Sequence, residues 1–97
     1  MSLIVVTARP NPAEGEAMQE YSSKAGPILA AHGGKPVKRV KLEKALVGDA
    51  RFAMAMVMEF PDAQSIENAF ASAEYQDLLP LRERAFEQFD VAITSEF

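Results

Sequence analysis

Two short stretches of the chain are apolar at nearly every position and are typical of buried β-strands. Residues 3–8 are rich in β-branched side chains and are followed by a turn that contains two prolines. Within residues 52–60, phenylalanine and methionine occupy the even positions, and alanine and valine occupy most of the odd ones. Because successive side chains of a strand point to opposite faces, residues 52–60 are predicted to form a strand that is buried on both faces of a sheet.

Residues 12–32 carry apolar or aromatic side chains at intervals of three and four, which predicts an amphipathic helix. The residues on its shared face are Met18, Tyr21, Ala25, Ile28 and His32. Pro27 removes one backbone hydrogen bond inside this helix, so a kink or a break is expected after Gly26. The two glycines that follow His32 are suited to end the helix.

A second helical region follows Asp62, which is a plausible N-cap. Its inner stripe is formed by Ala63, Ile66, Ala69, Phe70 and Ala73. Ser72 offers a second cap for a further helical stretch that Pro80 divides. The shared face of that stretch is expected to carry Tyr75, Leu79, Arg82, Phe86 and Phe89.

Two further stretches show the period-two pattern of strands. In residues 37–47, apolar and charged side chains alternate, which predicts a strand with one wet face that ends at the turn residues Gly48 and Asp49. Residues 91–97 alternate in the same way and are predicted to form the last strand.

The order of the elements is β-α-β-β-α-(short α)-β, which predicts an α+β, ferredoxin-like βαββαβ fold. The chain of 97 residues has room for one domain, so residues 1–97 are assigned to a single domain. Both helices are expected on one face of a four-stranded antiparallel sheet, which leaves the other face bare. Exposed apolar faces usually mark interfaces, and we therefore expect a homodimer that closes sheet to sheet.

Charge and cysteine content narrow the classes of partner. The formal net charge is −4, and the one basic cluster consists of Lys35, Lys38, Arg39, Lys41 and Lys44. We interpret this cluster as a solvated edge strand, with a binding patch as the alternative, and expect neither nucleic acid nor a membrane surface as a partner. The chain has no cysteine, which excludes disulfides and thiolate metal sites and is compatible with the cytoplasm, where we place the protein.

Several short motifs, in order along almost the whole chain, carry a family resemblance. They are Tyr21, His32-Gly33-Gly34, Glu59-Phe60-Pro61-Asp62, Phe70, Ser72-Ala73-Glu74-Tyr75 and Arg82. The series resembles domain-of-unknown-function family 1330, within the dimeric α/β-barrel superfamily, although the family often has a tyrosine where this chain has His32. The resemblance implies a ferredoxin-like dimer with a cleft between the helices and the sheet, and it implies no activity.

Two residues are candidates for proton transfer. His32 is the only histidine and lies at the end of the first helix, where it could line the cleft or simply interact with the helix C-terminus. Glu59 is the only acid in an apolar strand, so it is either a general base or a strand-end residue that reaches water. Chain direction places Glu59 nearer to His32 than to Arg82.

Three further side chains on apolar faces are candidate ligand contacts. Tyr21 and Tyr75 could donate hydrogen bonds to a ligand, or could pack in the core with protein partners. Arg82 interrupts an apolar helical face, where it could hold an anionic group or extend past its neighbours to water.

These candidates predict a protein that binds a small polar or anionic organic molecule in the helix–sheet cleft. A cofactor-free isomerase or oxygenase would fit such a site, and a non-catalytic binding or assembly module is the alternative. No metal spacing, phosphate loop or nucleotide motif is present in the sequence, so neither a metal nor a cofactor is expected.

Overall fold

The computed structural model describes residues 1–96, and its elements follow the predicted order. The strands are β1 (Ser2–Pro10), β2 (Lys35–Lys41), β3 (Met54–Phe60) and β4 (Phe86–Thr94). The helices are α1 (Gly15–Ala31), α2 (Ala63–Ala71), α3 (Ala73–Gln76) and α4 (Leu79–Ala85), with a short 3₁₀ turn at Pro12–Glu14 before α1. Phe97, the end of the predicted last strand, lies outside the described residues.

The four strands form one antiparallel sheet in the order β2-β3-β1-β4. In the register of β1 and β3, Ile4 pairs with Met58 and Val6 pairs with Met56. These four side chains lie on the same face because pairing positions of neighbouring strands point the same way. The predicted α+β fold, with a four-stranded antiparallel sheet, is confirmed.

The helices cover one face of the sheet and form the core with it. Ile4, Met58 and Phe60 are buried there and pack in one cluster with Leu29 of α1 and Ile66 of α2. The three methionines and Phe60 of β3 therefore face the helices, and Ala55 and Val57 face away. Burial of such side chains is the main stabilising contribution, about 1.5–3 kcal/mol for each large apolar one.

The other face of the sheet, here called the open face, has no helix over it among the described residues. Its central side chains are apolar and half-buried: Leu3, Val5, Ala55 and Val57. Its edges are polar, with Lys38 on β2 and Asp90 on β4. The second apolar face predicted for residues 52–60 thus exists, and a single chain leaves it uncovered.

Helix α1 runs through Pro27 without the break that the sequence predicts. A proline normally excludes helical geometry for the residue before it, because its ring meets that residue's Cβ. Gly26 has no Cβ, so the helix can continue past the proline. The helix ends at Ala31, and the expected glycine cap follows at Gly33, whose φ of 88° belongs to the left-handed region.

The predicted caps of the second helical region are confirmed. The Asp62 carboxylate accepts a hydrogen bond of 2.7 Å from the Ser65 amide, and this bond is the main reason that the pKa of Asp62 is lowered. Ser72 accepts from the Tyr75 amide at the start of α3. The two caps start α2 and α3 in quick succession after β3, and Tyr75 of α3 is buried in the core.

The predicted start of the last strand is wrong. The sequence pattern extends a helix to Phe89 and begins the strand at residue 91, whereas β4 begins at Phe86. The register with β1 shifts at Glu87, so β4 has one extra residue there. This bulge places Phe86 and Phe89 on the same face at a spacing of three, which imitates the spacing of a helix.

The bounds predicted for the second strand are also wrong. Strand β2 ends at Lys41, and residues 42–53 adopt no regular helix or strand. All of β2 is exposed, and Leu46 and Val47 beyond it are 87% and 94% exposed. Apolar and charged residues continue to alternate beyond Lys41, where the pairing of β2 with β3 ends. The pattern alone therefore overestimates the length of the strand.

No helix in residues 1–96 is long and apolar enough to cross a membrane. The cytoplasmic location stays a prediction.

Candidate functional site

A cavity of about 300 Å³ lies between α1 and the sheet. Met54, Met56 and Met58 form its floor, and Tyr21 and Leu29 of α1 form part of the wall above them. Its inner end is closed by Phe70, Phe86, Phe89 and Val91. The mouth opens between Ser22, Gly26 and Ala30 of α1 and the residues Pro36 and Arg39 of β2. On the side of α1 that faces β2, the lining side chains are small, which leaves space above the methionines of β3.

Tyr21 is held at this cavity by a chain of hydrogen bonds. Its hydroxyl lies 2.8 Å from the Tyr75 hydroxyl, and Arg82 Nη1 donates to the same Tyr75 oxygen at 2.9 Å. The Arg82 guanidinium also lies against the rings of Tyr75 and Phe89, at 5.7 and 5.3 Å from their centroids. The structure therefore brings Tyr21, Tyr75 and Arg82 into one network.

Aromatic packing fixes the geometry of this network. The Tyr21 ring makes edge-to-face contacts with Phe86 and Phe89 at centroid distances of 5.5 and 5.6 Å, and Tyr75 makes one with Phe70 at 4.9 Å. Burial, followed by the hydrogen bond with Tyr75, raises the pKa of Tyr21 far above its ordinary value. At neutral pH Tyr21 is thus a protonated, oriented hydroxyl and is not a base.

The three members of the network have different access to solvent. Arg82 lines an open groove of about 380 Å³ between α2 and β4, which also contacts Ile66 and Ile93. Tyr75 is 1% exposed and lines neither the cavity nor this outer groove. Phe70, Phe89 and Val91 line both spaces and separate them. A ligand in the cavity would therefore contact Tyr21, with Tyr75 and Arg82 behind it.

His32 follows the last residue of α1 and is half-buried. Its Nδ1 lies 3.0 Å from the Ile28 carbonyl, which can only accept, so this nitrogen donates. That bond satisfies one of the free carbonyls at the helix end. The side chain lines neither the cavity nor the outer groove.

Glu59 lies on β3 between two residues, Met58 and Phe60, that face the helices. Its side chain therefore points to the open face, where Lys35 and Leu3 occupy the paired positions. His32 and Glu59 are near the same end of the sheet but on opposite faces, and the structure does not bring them together. Their catalytic role stays a prediction.

Arg39 also lines the cavity, and the sequence pattern does not identify it as a site residue. Because lysines flank Arg39 and the strand alternates, the pattern favours a solvated basic edge over a binding patch. The signal that could have identified it is that Lys38 and Arg39 are adjacent in a strand and so point to opposite faces.

Three solved structures illustrate the proteins that share this arrangement of strands and helices. A protein of unknown function from Rhodopseudomonas palustris superposes with a TM-score of 0.83 at 21% identity, over 99% of this chain and 82% of that one. A protein from Nitrosomonas europaea, provisionally described as an antibiotic biosynthesis monooxygenase, gives a TM-score of 0.68 at 11% identity, over 99% and 98% of the two chains. A Dabb family protein from Mesorhizobium loti, described as having a ferredoxin-like fold, gives 0.67 at 14% identity, over 100% and 99%.

Identities this low show a shared fold and carry no activity to this chain. Among curated proteins, none matches the sequence. A family model described as "Domain of unknown function (DUF1330)" matches residues 4–97, almost the whole chain. The resemblance carried by the short motifs is therefore confirmed, and the chain belongs to the DUF1330 family.

Proposed function

We propose that this protein binds a small, mainly apolar organic molecule in the cavity between α1 and the sheet. The observation that carries the proposal is the cavity itself, about 300 Å³ and lined by methionine, phenylalanine and aliphatic side chains. An apolar cavity of about 150 Å³ already has room for benzene. A space about twice as large fits a molecule of two fused rings or a branched chain of similar volume.

Tyr21 supplies the polar contact in this proposal. Binding sites are usually apolar with a few fixed polar groups, and the Tyr21 hydroxyl is fixed by Tyr75 and Arg82. Methionine side chains adapt their shape to a ligand because three torsions and a polarisable sulfur let them repack. The site thus combines an adaptable floor with one oriented hydroxyl.

We propose binding in preference to catalysis. A cofactor-free isomerase or oxygenase would need a proton acceptor within about 3 Å of the substrate. The raised pKa of Tyr21 keeps it protonated, and neither His32 nor Glu59 lines the cavity. A protonated Tyr21 could still stabilise negative charge on a bound oxygen, which is the feature that would favour catalysis if turnover were observed.

The test uses methionine methyl groups as reporters. Met54, Met56 and Met58 line the cavity, whereas Met1 and Met18 do not, so the 5 methionines of the chain provide both signals and internal controls. Titration of the ¹³C-methyl-methionine protein with the neutral probe 2-naphthalenemethanol should shift the three floor resonances and leave the other two unchanged. Equal shifts at all five, or none, would contradict the proposal.

Two adjacent alanines near the end of α1 provide matched variants. Both are exposed, but Ala30 lines the mouth of the cavity and Ala31 does not. Ala30→Phe should cover the mouth and abolish the shifts, whereas Ala31→Phe should bind the probe like the wild type. Thermal unfolding of both variants establishes that they fold, and retained binding in folded Ala30→Phe would place the probe elsewhere.

We further propose that the functional unit is a homodimer that closes over the open face. The central residues of that face, including Val5 and Val57, are apolar, and a second copy would remove them from water by the twofold symmetry that most homo-oligomers use. Light scattering at micromolar concentration should give twice the chain mass. Val57→Glu should give the mass of one chain, and a monomeric wild type would overturn this proposal.

A further inference from the structure

The cavity has a single charged residue at its mouth. Among the described residues that line it, Arg39 alone is charged, and no carboxylate is present in the lining. A positive side chain beside a mostly apolar space is notable in a chain whose net charge is −4. It needs an explanation beyond the general protection of an exposed strand edge.

The register of β2 determines where this charge lies. Arg39 pairs with Met56, which packs against the core under the helices, while Lys38 pairs with Val57 of the open face. A register shift at Val37 sets this assignment, because it changes which residues of β2 share a face with the methionines. The bulge therefore turns Arg39 toward the cavity and Lys38 away from it.

Arg39 has no anionic partner among residues 1–96. The ion pairs within residues 1–96 join Lys24 with Glu20 and Arg84 with Glu14, and Arg39 takes part in neither. Lys41, two positions along β2, lies on the same side and pairs with Met54. Two cations thus stand beside the methionine floor, and the five N–H donors of the arginine are available for a planar anion.

We infer that the ligand of the cavity is an amphipathic carboxylate, whose apolar body lies over the methionines and whose carboxylate is bound by Arg39 at the mouth. This inference rests on the proposed function and adds the chemical class of the ligand. Arginine and carboxylate match in geometry and form two parallel hydrogen bonds. A carboxylate at the mouth also keeps contact with water, which avoids the cost of burying a charge.

The experiment compares two probes of nearly equal shape, 2-naphthoate and 2-naphthalenemethanol, by isothermal titration calorimetry. The wild type should bind 2-naphthoate about tenfold more tightly than the alcohol, as expected for one charge-assisted pair. Arg39→Gln should remove that difference, and Lys44→Gln, in the exposed segment outside the sheet, should preserve it. The two variants change the net charge equally, so Lys44→Gln controls for general electrostatic attraction.

The possible results distinguish a wrong carboxylate assignment from a failure of the proposed binding function. If neither probe binds to the folded wild type, the proposed function fails and the inference fails with it. If both bind equally well and Arg39→Gln changes neither affinity, binding stands and the carboxylate assignment is wrong. Equal losses for 2-naphthoate in Arg39→Gln and Lys44→Gln would also overturn the assignment, because the effect would then come from total charge.

Discussion

Tyr75 is the central residue of the hydrogen-bonded network and is 1% exposed. Tyr75→Phe would leave Tyr21 without its hydroxyl partner and Arg82 without its acceptor. We expect a loss of about 1–3 kcal/mol in the free energy of unfolding, against about 0.5–1.5 kcal/mol for Tyr21→Phe, which breaks one bond and leaves Tyr75 paired with Arg82. Urea unfolding measures both values. A larger loss for Tyr21→Phe, or strict additivity in the double variant, would contradict the network.

The raised pKa of Tyr21 makes a prediction about pH. Burial favours the protonated form in the folded state, so the contribution of Tyr21 is fully present below its unfolded pKa of about 10 and is lost as the pH rises toward the folded pKa. Above pH about 10, the wild type should lose about 1.4 kcal/mol per pH unit more than Tyr21→Phe does. Urea unfolding at pH about 7 and about 11 measures the difference. Parallel losses in the two proteins would show that Tyr21 ionises in the fold.

Part of the candidate site was predictable from single residues. Tyr75 and Arg82 were assigned to one apolar helical face, and Tyr21 was assigned to the inner face of the first helix, and these faces do meet. Arg39 was not identified, because a basic residue on an exposed strand gives no sign of which face it occupies until the strand register is known. The position of one bulge, at Val37, decides that question.

At the scale of elements, hydrophobic spacing predicts the type of an element when its geometry is regular. It predicted α1 and β3, and it failed at the start of β4. There the bulge at Glu87 places Phe86 and Phe89 on one face, at a spacing that an α-helix would also produce. A sequence pattern records which residues face the core, and a bulged strand and a helix can place the same residues there.

Pro27 lies inside α1 and is expected to lower the stability of that helix. A proline inside a helix removes the bond from its own nitrogen and costs about 3 kcal/mol relative to alanine, although Gly26 relieves part of the steric conflict. We therefore expect Pro27→Ala to raise the free energy of unfolding by about 1–3 kcal/mol. Pro12, at the start of the 3₁₀ turn, is the matched control, because a proline is tolerated at a first helical position. Chemical denaturation of Pro27→Ala and Pro12→Ala measures the two free energies of unfolding. A lower free energy of unfolding for Pro27→Ala than for the wild type would contradict the prediction.

At the scale of the whole molecule, the main evidence for the fold in the sequence was one strand, β3, with two apolar faces. The methionine and phenylalanine face of β3 is covered by helices, and the alanine and valine face is part of the open face. The cavity could not be predicted in this way, because its volume depends on how far small side chains on α1 stand from the floor. Hydrophobic patterning indicates which face is inside, and it does not indicate whether the inside is filled.

The distribution of charge on the open face predicts how two copies would meet. Lys38 lies at the β2 edge and Asp90 at the β4 edge, on opposite sides of the apolar centre. A twofold axis parallel to the strands would place each Lys38 over β4 of the partner, level with Ala92 and two residues along the strand from Asp90, a distance that a lysine side chain can span. Lys38→Glu or Asp90→Lys should then weaken dimerisation about tenfold at low salt, because each change introduces two repulsive contacts in a symmetric dimer.

The double variant Lys38→Glu/Asp90→Lys is the decisive form of this test, because it reverses both charges and restores attraction. Its dissociation constant, measured by sedimentation equilibrium, should return to near the wild-type value. Lys44→Glu makes the same charge change in the exposed segment outside the sheet and should leave dimerisation unchanged. If the double variant stays as weak as either single one, Lys38 and Asp90 do not approach each other across the interface, and the predicted axis parallel to the strands is wrong.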